Sequence, residues 1–214
     1  MNATSIRTRL IAAAALACAA AAPAYAGDFM VRARVLQLDP ANDTTGPLAG
    51  APYNGVAVNS KYIWEIDASY FVTPNVALEL IATTPQKQTV SLNMGDSAHP
   101  TKLGTLRHLP PTLTVQYHFA PTNPTVRPYI GAGVNFTHFS SVNLGNGAYD
   151  VDRNSWGTAV QFGADFPITQ NLYFNVDFKK IDIRTDVTAT ADGSHLGTVK
   201  IDPVLFGVGI GYRF

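Results

Sequence analysis

The sequence predicts an all-β protein, an eight-stranded antiparallel transmembrane β-barrel, and three observations carry that expectation. Through most of the chain apolar residues recur at every second position, the period of a strand with two unlike faces. The 214 residues carry 15 Lys+Arg against 15 Asp+Glu, so that only 14% are charged, where a soluble domain has about 25%. After residue 26 no apolar run reaches the roughly 18 residues of a spanning helix, while alternating segments of barrel-strand length recur with turn chemistry between them. The balanced charge argues against a nucleic-acid partner. A single Cys excludes a disulfide framework.

The first segment reads as an address. Arg7 and Arg9 precede an apolar run from Leu10 to Ala22, closed by Pro23-Ala24-Tyr25-Ala26, the pattern of a cleavable signal peptide. Residues 1–26 are therefore expected to leave, Cys18 with them, and 27–214 to form the barrel. A thiol-free exported chain suits an oxidising compartment.

Each strand is justified by its alternation. In strand 1, Phe29, Val31, Ala33 and Val35 oppose Arg32 and Arg34. In strand 2, Tyr62, Trp64, Ile66, Ala68 and Tyr70 oppose Ile63, Glu65, Asp67 and Ser69, and in strand 3 Val76, Leu78, Leu80 and Ala82 oppose Ala77, Glu79, Ile81 and Thr83. Strand 4 sets Leu113, Val115, Tyr117 and Phe119 against Thr112, Thr114, Gln116 and His118. Strand 5 sets Ile130, Ala132, Val134 and Phe136 against Gly131, Gly133, Asn135 and Thr137. Strand 6 sets Val160, Phe162, Ala164 and Phe166 against Ala159, Gln161, Gly163 and Asp165. Strand 7 sets Leu172, Phe174, Val176 and Phe178 against Tyr173, Asn175, Asp177 and Lys179. Strand 8 runs Val204, Phe206, Val208, Ile210, Tyr212 and Phe214 against Leu205, Gly207, Gly209, Gly211 and Arg213.

A soluble sandwich would charge its outward face densely along every strand. Here the polar faces are rich in Gly, Asn and Gln, as a narrow interior requires, and aromatics gather at strand ends. Long polar loops are expected at 40–60, 84–107, 139–153 and 186–199, and short turns near Pro74, at 120–126 and at 167–171. An even strand count puts both termini on the short-turn side, taken as periplasmic. The terminal Tyr212-Arg213-Phe214 looks like the signal by which barrel-assembly machinery recognises its substrates, with Phe214 as its last residue.

Depth follows from direction. Inward positions in the lower half carry Arg32, Glu65, Asp67, Glu79, Asp165, Asp177, Lys179 and Arg213, beside Gln116, His118 and Asn175. They are expected to form a polar lumen floor whose opposite charges pair, because an unpaired buried charge is costly. The upper inward positions are mostly apolar: Leu36, Leu38, Ile63, Ile81, Ala159, Ile181, Ile183 and Leu205, with Thr83 among them. Ile63, Ile81, Ile181 and Leu205 are the expected channel lining. Pro85 ends strand 3 and Pro110-Pro111 opens strand 4, while Pro203 falls in strand 8. Proline donates no ladder bond, so Pro85, Pro110 and Pro111 mark an expected lateral opening near the outer end.

Several stretches resemble one family, the OmpW family of small outer-membrane barrels. They are Asn75-Val-Ala-Leu-Glu-Leu-Ile-Ala-Thr-Thr-Pro85, His108-Leu-Pro-Pro-Thr112, Arg127-Pro-Tyr-Ile-Gly-Ala-Gly-Val-Asn135, Ser155-Trp-Gly157, Lys200-Ile-Asp-Pro203 and the closing Gly211-Tyr-Arg-Phe214. The resemblance implies passive passage of small, mostly hydrophobic molecules across the outer membrane. It also implies a lumen closed toward the periplasm and an exit sideways into lipid. Family members place an aliphatic residue on strand 3 and an aromatic one on strand 7 at a hydrophobic constriction. Ile81 matches the first, but Lys179 stands at the second, which makes the constriction polar. Trp156 falls on the outward face by parity, as an interfacial anchor.

No cofactor or metal is expected, since the five histidines show no ligand spacing. His138 and Ser140 share an outward side near the rim, but such a pair needs a carboxylate to orient the His, and only the loop residues Asp150 and Asp152 lie near in sequence. The chain is therefore not expected to be an enzyme. The expected partners are outer-membrane lipid and small hydrophobic solutes. The alternative is a structural or surface-interaction barrel acting through its loops.

Overall fold

A computed structural model of the chain describes residues 29–50, 52–94 and 96–214. The expected signal peptide at 1–26 lies outside the described residues. Eight long strands build the wall: β1 (Phe29–Asp39), β2 (Lys61–Phe71), β3 (Val76–Thr83), β4 (Thr112–His118), β5 (Arg127–Leu144), β6 (Asn154–Pro167), β7 (Leu172–Ile181) and β8 (Val204–Arg213). Each pairs antiparallel with its sequence neighbour where a short turn joins them, and β5 with β6. The ring closes where β1 pairs β8, from Met30↔Arg213 to Asp39↔Val204. The Phe214 amide donates to the Phe29 carbonyl at 2.9 Å, extending that closure to the last residue.

The alternation decides which face is which. Trp64, Leu80, Val115, Val134, Phe162 and Ile210 all stand exposed on the outside, an apolar belt of the kind that lipid covers. Aromatic contacts flank it, with Phe136 against Trp156 at one end and Phe166 against Phe174 and Tyr212 against Phe214 at the other. Trp156 faces outward at 74% exposure, as its parity requires.

One device makes all the short turns. A hydroxyl or amide oxygen of Thr73, Asn123 or Thr169 accepts two backbone N–H groups just ahead of it, the side-chain turn that Thr and Asn form readily. Two inward glycines let the strands approach closely. A Cβ at Gly133 would lie 1.9 Å from the Leu113 carbonyl oxygen, and one at Gly209 would lie 2.1 Å from the Ala33 oxygen and 2.8 Å from Cγ of Arg34.

The long-loop end departs from the sequence reading. Where polar loops are expected, further strands appear: Asp43–Thr45, Tyr53–Val58, Gln86–Met94, Asp96–Leu109, Tyr149–Val151, Arg184–Ala189 and His195–Lys200, with β5 itself reaching Leu144. Their alternation is short and broken by Gly and polar residues. Some pair as local hairpins and others with distant segments, as Asp96–Leu109 does with β5, so local pattern does not reveal them. Two edges meet without a backbone ladder. Asn42 exchanges side-chain hydrogen bonds with both the N–H and the C=O of Val58, and Thr44 accepts from the Val56 N–H at 3.0 Å. Pro203 stands just ahead of β8 rather than in it, and its carbonyl accepts from Ile181 N–H.

Candidate functional site

The lumen is layered. At mid-depth lies a buried charged network built on β1. Arg32 clasps Asp165 of β6 in a two-pronged contact, Nε at 3.1 Å and Nη2 at 2.8 Å, and its Nη1 lies 3.2 Å from Asp67 and 3.5 Å from Glu79. Arg34 Nη1 reaches Glu65 and Asp67 at 2.6 Å each, and Nε donates to Asn175 at 2.6 Å. Lys179 Nζ meets Glu65 Oε1 at 2.8 Å and also contacts Asp177. All eight of these charged side chains are buried.

Three cations here face five carboxylates, so neutral donors take up the remainder. The Tyr129 hydroxyl donates to Asp177 at 2.7 Å, Asn175 Nδ2 to Asp165 at 2.8 Å, and Thr114 and Gln161 to Glu79 at 3.1 and 2.6 Å. A buried charge is tolerable only with this density of partners. Parity turns Arg34 inward, although the expected floor does not include it, and Tyr129 is a member that the strand alternation as read does not mark. The signal for both was available: Arg34 sits two positions from Arg32, and Tyr129 two before Gly131 on the same face. Arg213 lies nearer the short-turn end, half-buried, with its guanidinium 4.0 Å from the Phe71 ring centre. Beside it Met30, Phe71, Ala77 and Tyr173 form a small apolar cluster.

Above the network the interior turns apolar. Leu36, Leu38, Ile63, Ala159, Ile181, Ile183 and Leu205 join one buried cluster with Val56, Val58, Val90, Leu92, Leu106, Val187 and Val199 of the upper strands. Barrel lumen and loop strands thus share one core. It encloses a cavity of about 30 Å³ between Leu48, Val56, Val90, Leu106, Val187 and Val199. Ile81 is buried apart from this cluster, opposite Asp67 on β2 and Thr112 on β4.

The prolines interrupt the wall. The β3–β4 ladder ends at Ile81↔Thr112, and the next pair above it is Gln86↔His108. Between them 82–85 and 109–111 face each other with no ladder pairing. Pro110 and Pro111 have no N–H to offer, and their carbonyls point elsewhere: Pro110 accepts from the Thr112 hydroxyl, and Pro111 from Phe136 N–H at 3.0 Å and Asn135 Nδ2 at 3.3 Å. The end of β4 is tied to β5 and not to β3. Pro85 is exposed at the outer side of this break. At the rim, His138 Nδ1 meets the Asn154 amide oxygen at 2.8 Å, while Asp150 engages Arg153. An amide, not a carboxylate, orients that histidine.

Comparison with known proteins agrees with this architecture. The family model described as "OmpW family" matches residues 25–214. Outer membrane protein W of Vibrio cholerae is 34% identical over 212 residues, covering 94% of this chain and 96% of that protein. A Pseudomonas relative named "Dibenzothiophene metabolism operon protein DoxH" is 28% identical over 162 residues, covering 75% of this chain and 68% of its own. The crystal structure of OprG from Pseudomonas aeruginosa superposes with a TM-score of 0.72 at 28% identity, covering 88% of this chain and 96% of that one.

Proposed function

The chain belongs to the OmpW family and is an outer-membrane β-barrel, and from that premise we propose that it is a passive channel for small, mostly hydrophobic molecules. Its residues 1–26 serve as the export signal. Solute is received by the apolar upper lumen, is stopped by the charged floor, and leaves sideways into the bilayer between β3 and β4. The observation that carries this reading is the coincidence of three features: an apolar vestibule, a charge-filled level beneath it, and a proline-marked break in the wall beside the boundary. Ile63, Ile181 and Leu205 line the route, Ile81 stands at its turn, and Arg32, Glu65, Asp67, Glu79, Asp165, Asp177, Lys179 and Arg213 close the way to the periplasm. The relative named for a dibenzothiophene operon supports an apolar solute class. Ion-pair filling alone would serve a merely structural barrel, but such a barrel has no use for the apolar chamber and the break together. No part of the reading requires catalysis, a cofactor or a metal.

The cavity of about 30 Å³ has room for only a few waters, so passage of a solute requires the upper strands to move. Cysteines at Thr84 and Leu109, joined through two disulfides by a short bis-thiosulfonate reagent, bridge the break. The bridged protein in proteoliposomes is expected to lose most uptake of an apolar tracer and to regain it on reduction. Unchanged uptake in verified crosslinked protein moves the exit elsewhere, and no uptake by the uncrosslinked parent favours a barrel acting through its surface loops.

The Phe214 backbone completes the β1–β8 seam while its ring stays half exposed beside Phe29 and Tyr212, free for barrel-assembly machinery to read. Deleting Phe214 is expected to lower the folded outer-membrane fraction several-fold in cells, measured by the heat-modifiable gel band, while refolding in detergent is nearly unaffected. Equal loss in both settings would assign Phe214 to the seam alone.

A further inference from the structure

The inner face of the hairpin formed by Gln86–Met94 and Asp96–Leu109 changes character as it descends. Leu92, Val90 and Leu106 belong to the apolar vestibule, and Val90 and Leu106 line its cavity. One inward position lower come Gln88 and His108, then Gln86, all at most 2% exposed. These three side chains stand directly above the break in the wall, at the pair Gln86↔His108.

They are also half satisfied. Gln86 Nε2 donates to the Thr83 hydroxyl at 3.2 Å, and Gln88 Nε2 lies 3.5 Å from His108 Nε2. Among the described residues, Gln86 Oε1, Gln88 Oε1 and His108 Nδ1 are buried with no hydrogen-bond partner. The neighbouring polar groups show that the fold is able to satisfy such atoms: Thr137 donates to Asn135 at 2.7 Å and Asn135 to Thr112 at 2.8 Å. Three unmet groups on adjacent positions cost stability, and at a functional passage the natural complement is a ligand.

We propose that Gln86, Gln88 and His108 form a polar subsite that takes the hydroxyl or amide head of an otherwise apolar solute, whose chain lies upward among Val90, Leu92 and Leu106. This rests on the uptake reading and narrows its substrate class to molecules with one small polar end. The donor–acceptor balance supports the class. In the tautomer that complements the Gln88 amide, His108 Nε2 accepts and Nδ1 carries the proton, and the subsite then offers one donor and two carbonyl acceptors. A hydroxyl or a primary amide complements both kinds, and an alkane complements neither. Burial, reinforced by Lys61, holds the His108 imidazole down at about 4, so the ring is neutral at ordinary pH and does not demand an anion.

The test uses isotope-labelled mature protein in lipid nanodiscs, titrated with 1-octanol and with n-octane. Octanol is expected to move the Gln86 and Gln88 side-chain amide resonances and the His108 Nδ1 resonance, whereas octane moves only methyl signals of the vestibule. In the double variant Gln86→Leu with Gln88→Leu, octanol affinity is expected to fall about tenfold, a loss of one log unit, with octane affinity unchanged. A single variant, His108→Phe, provides an independent readout and is expected to give a smaller loss in the same direction. Equal response to both probes, or a double variant that binds octanol like the parent, overturns the subsite and assigns the three atoms to bound water alone, while leaving the uptake reading in place. If neither probe reaches the vestibule methyls, the uptake reading falls as well.

Discussion

Replacing Arg34 by Met is expected to lower barrel stability by about 3–5 kcal/mol, the loss that follows when one partner of a buried ion cluster is removed and the others stay charged. Arg34 holds Glu65 and Asp67, approaches Glu79, and donates to Asn175 and Tyr129, so its one side chain ties β1 to four other strands. Its removal takes a cation from Glu65, Asp67 and Glu79 at once and leaves five buried carboxylates to Arg32, Lys179 and neutral donors. Arg34→Lys does not rescue it, because one ammonium cannot reproduce a planar fork reaching four directions. Arg153→Met is the matched control: Arg153 pairs with Asp150 in the open, and exposed pairs contribute about 0–1 kcal/mol. Urea unfolding of the lipid-embedded protein measures both. A loss below about 1 kcal/mol for Arg34→Met would show that the cluster rearranges to cover the vacancy.

Lys179→Trp addresses the boundary between charge and grease. Lys179 is the uppermost inward-facing charge on β7, two residues below Ile181 of the apolar cluster, and it bridges Asp177 on its own strand to Glu65 on β2. Tryptophan supplies the aromatic that the family resemblance implies at this position but leaves two acids without their shared cation. Stability is expected to drop by about 3 kcal/mol or more, the cost of breaking a buried pair, while apolar ligands bind more tightly against the new indole face. Thermal unfolding reads the first effect and titration with an apolar fluorophore the second. Parent-like values on both measures would mean that Lys179 neither holds the floor together nor sets selectivity.

The two variants draw on different parts of what was legible. That Lys179 and Asp177 share an inward face follows from the alternation of strand 7, and the outward turn of Trp156 follows from that of strand 6. That Lys179 reaches Glu65, 114 residues away, did not. The prolines announced a break between β3 and β4, but its extent, from Ile81↔Thr112 to Gln86↔His108, depends on a hairpin that the polar stretch 84–107 conceals. Gln86 and Gln88 carry no signal for the same reason, since in a segment read as a loop there is no inward face to assign, and His108, legible only as the start of the stretch His108–Thr112, lacks a strand partner until the hairpin is seen.

Parity is a local property of the pleated backbone, because successive side chains point to opposite sides whatever the strand pairs with. The sequence by itself therefore determined the barrel, its lipid-facing belt, and the division of the interior into charged lower and apolar upper halves. Pairing is not local. Which acid meets Arg32, which strands extend the wall beyond the membrane, and where the ladder fails are all set by register between segments far apart in the chain, since the side-chain period constrains a strand's face and not its neighbour's offset. Those features, and with them the orphaned polar atoms above the break, were decided only when the ring closed.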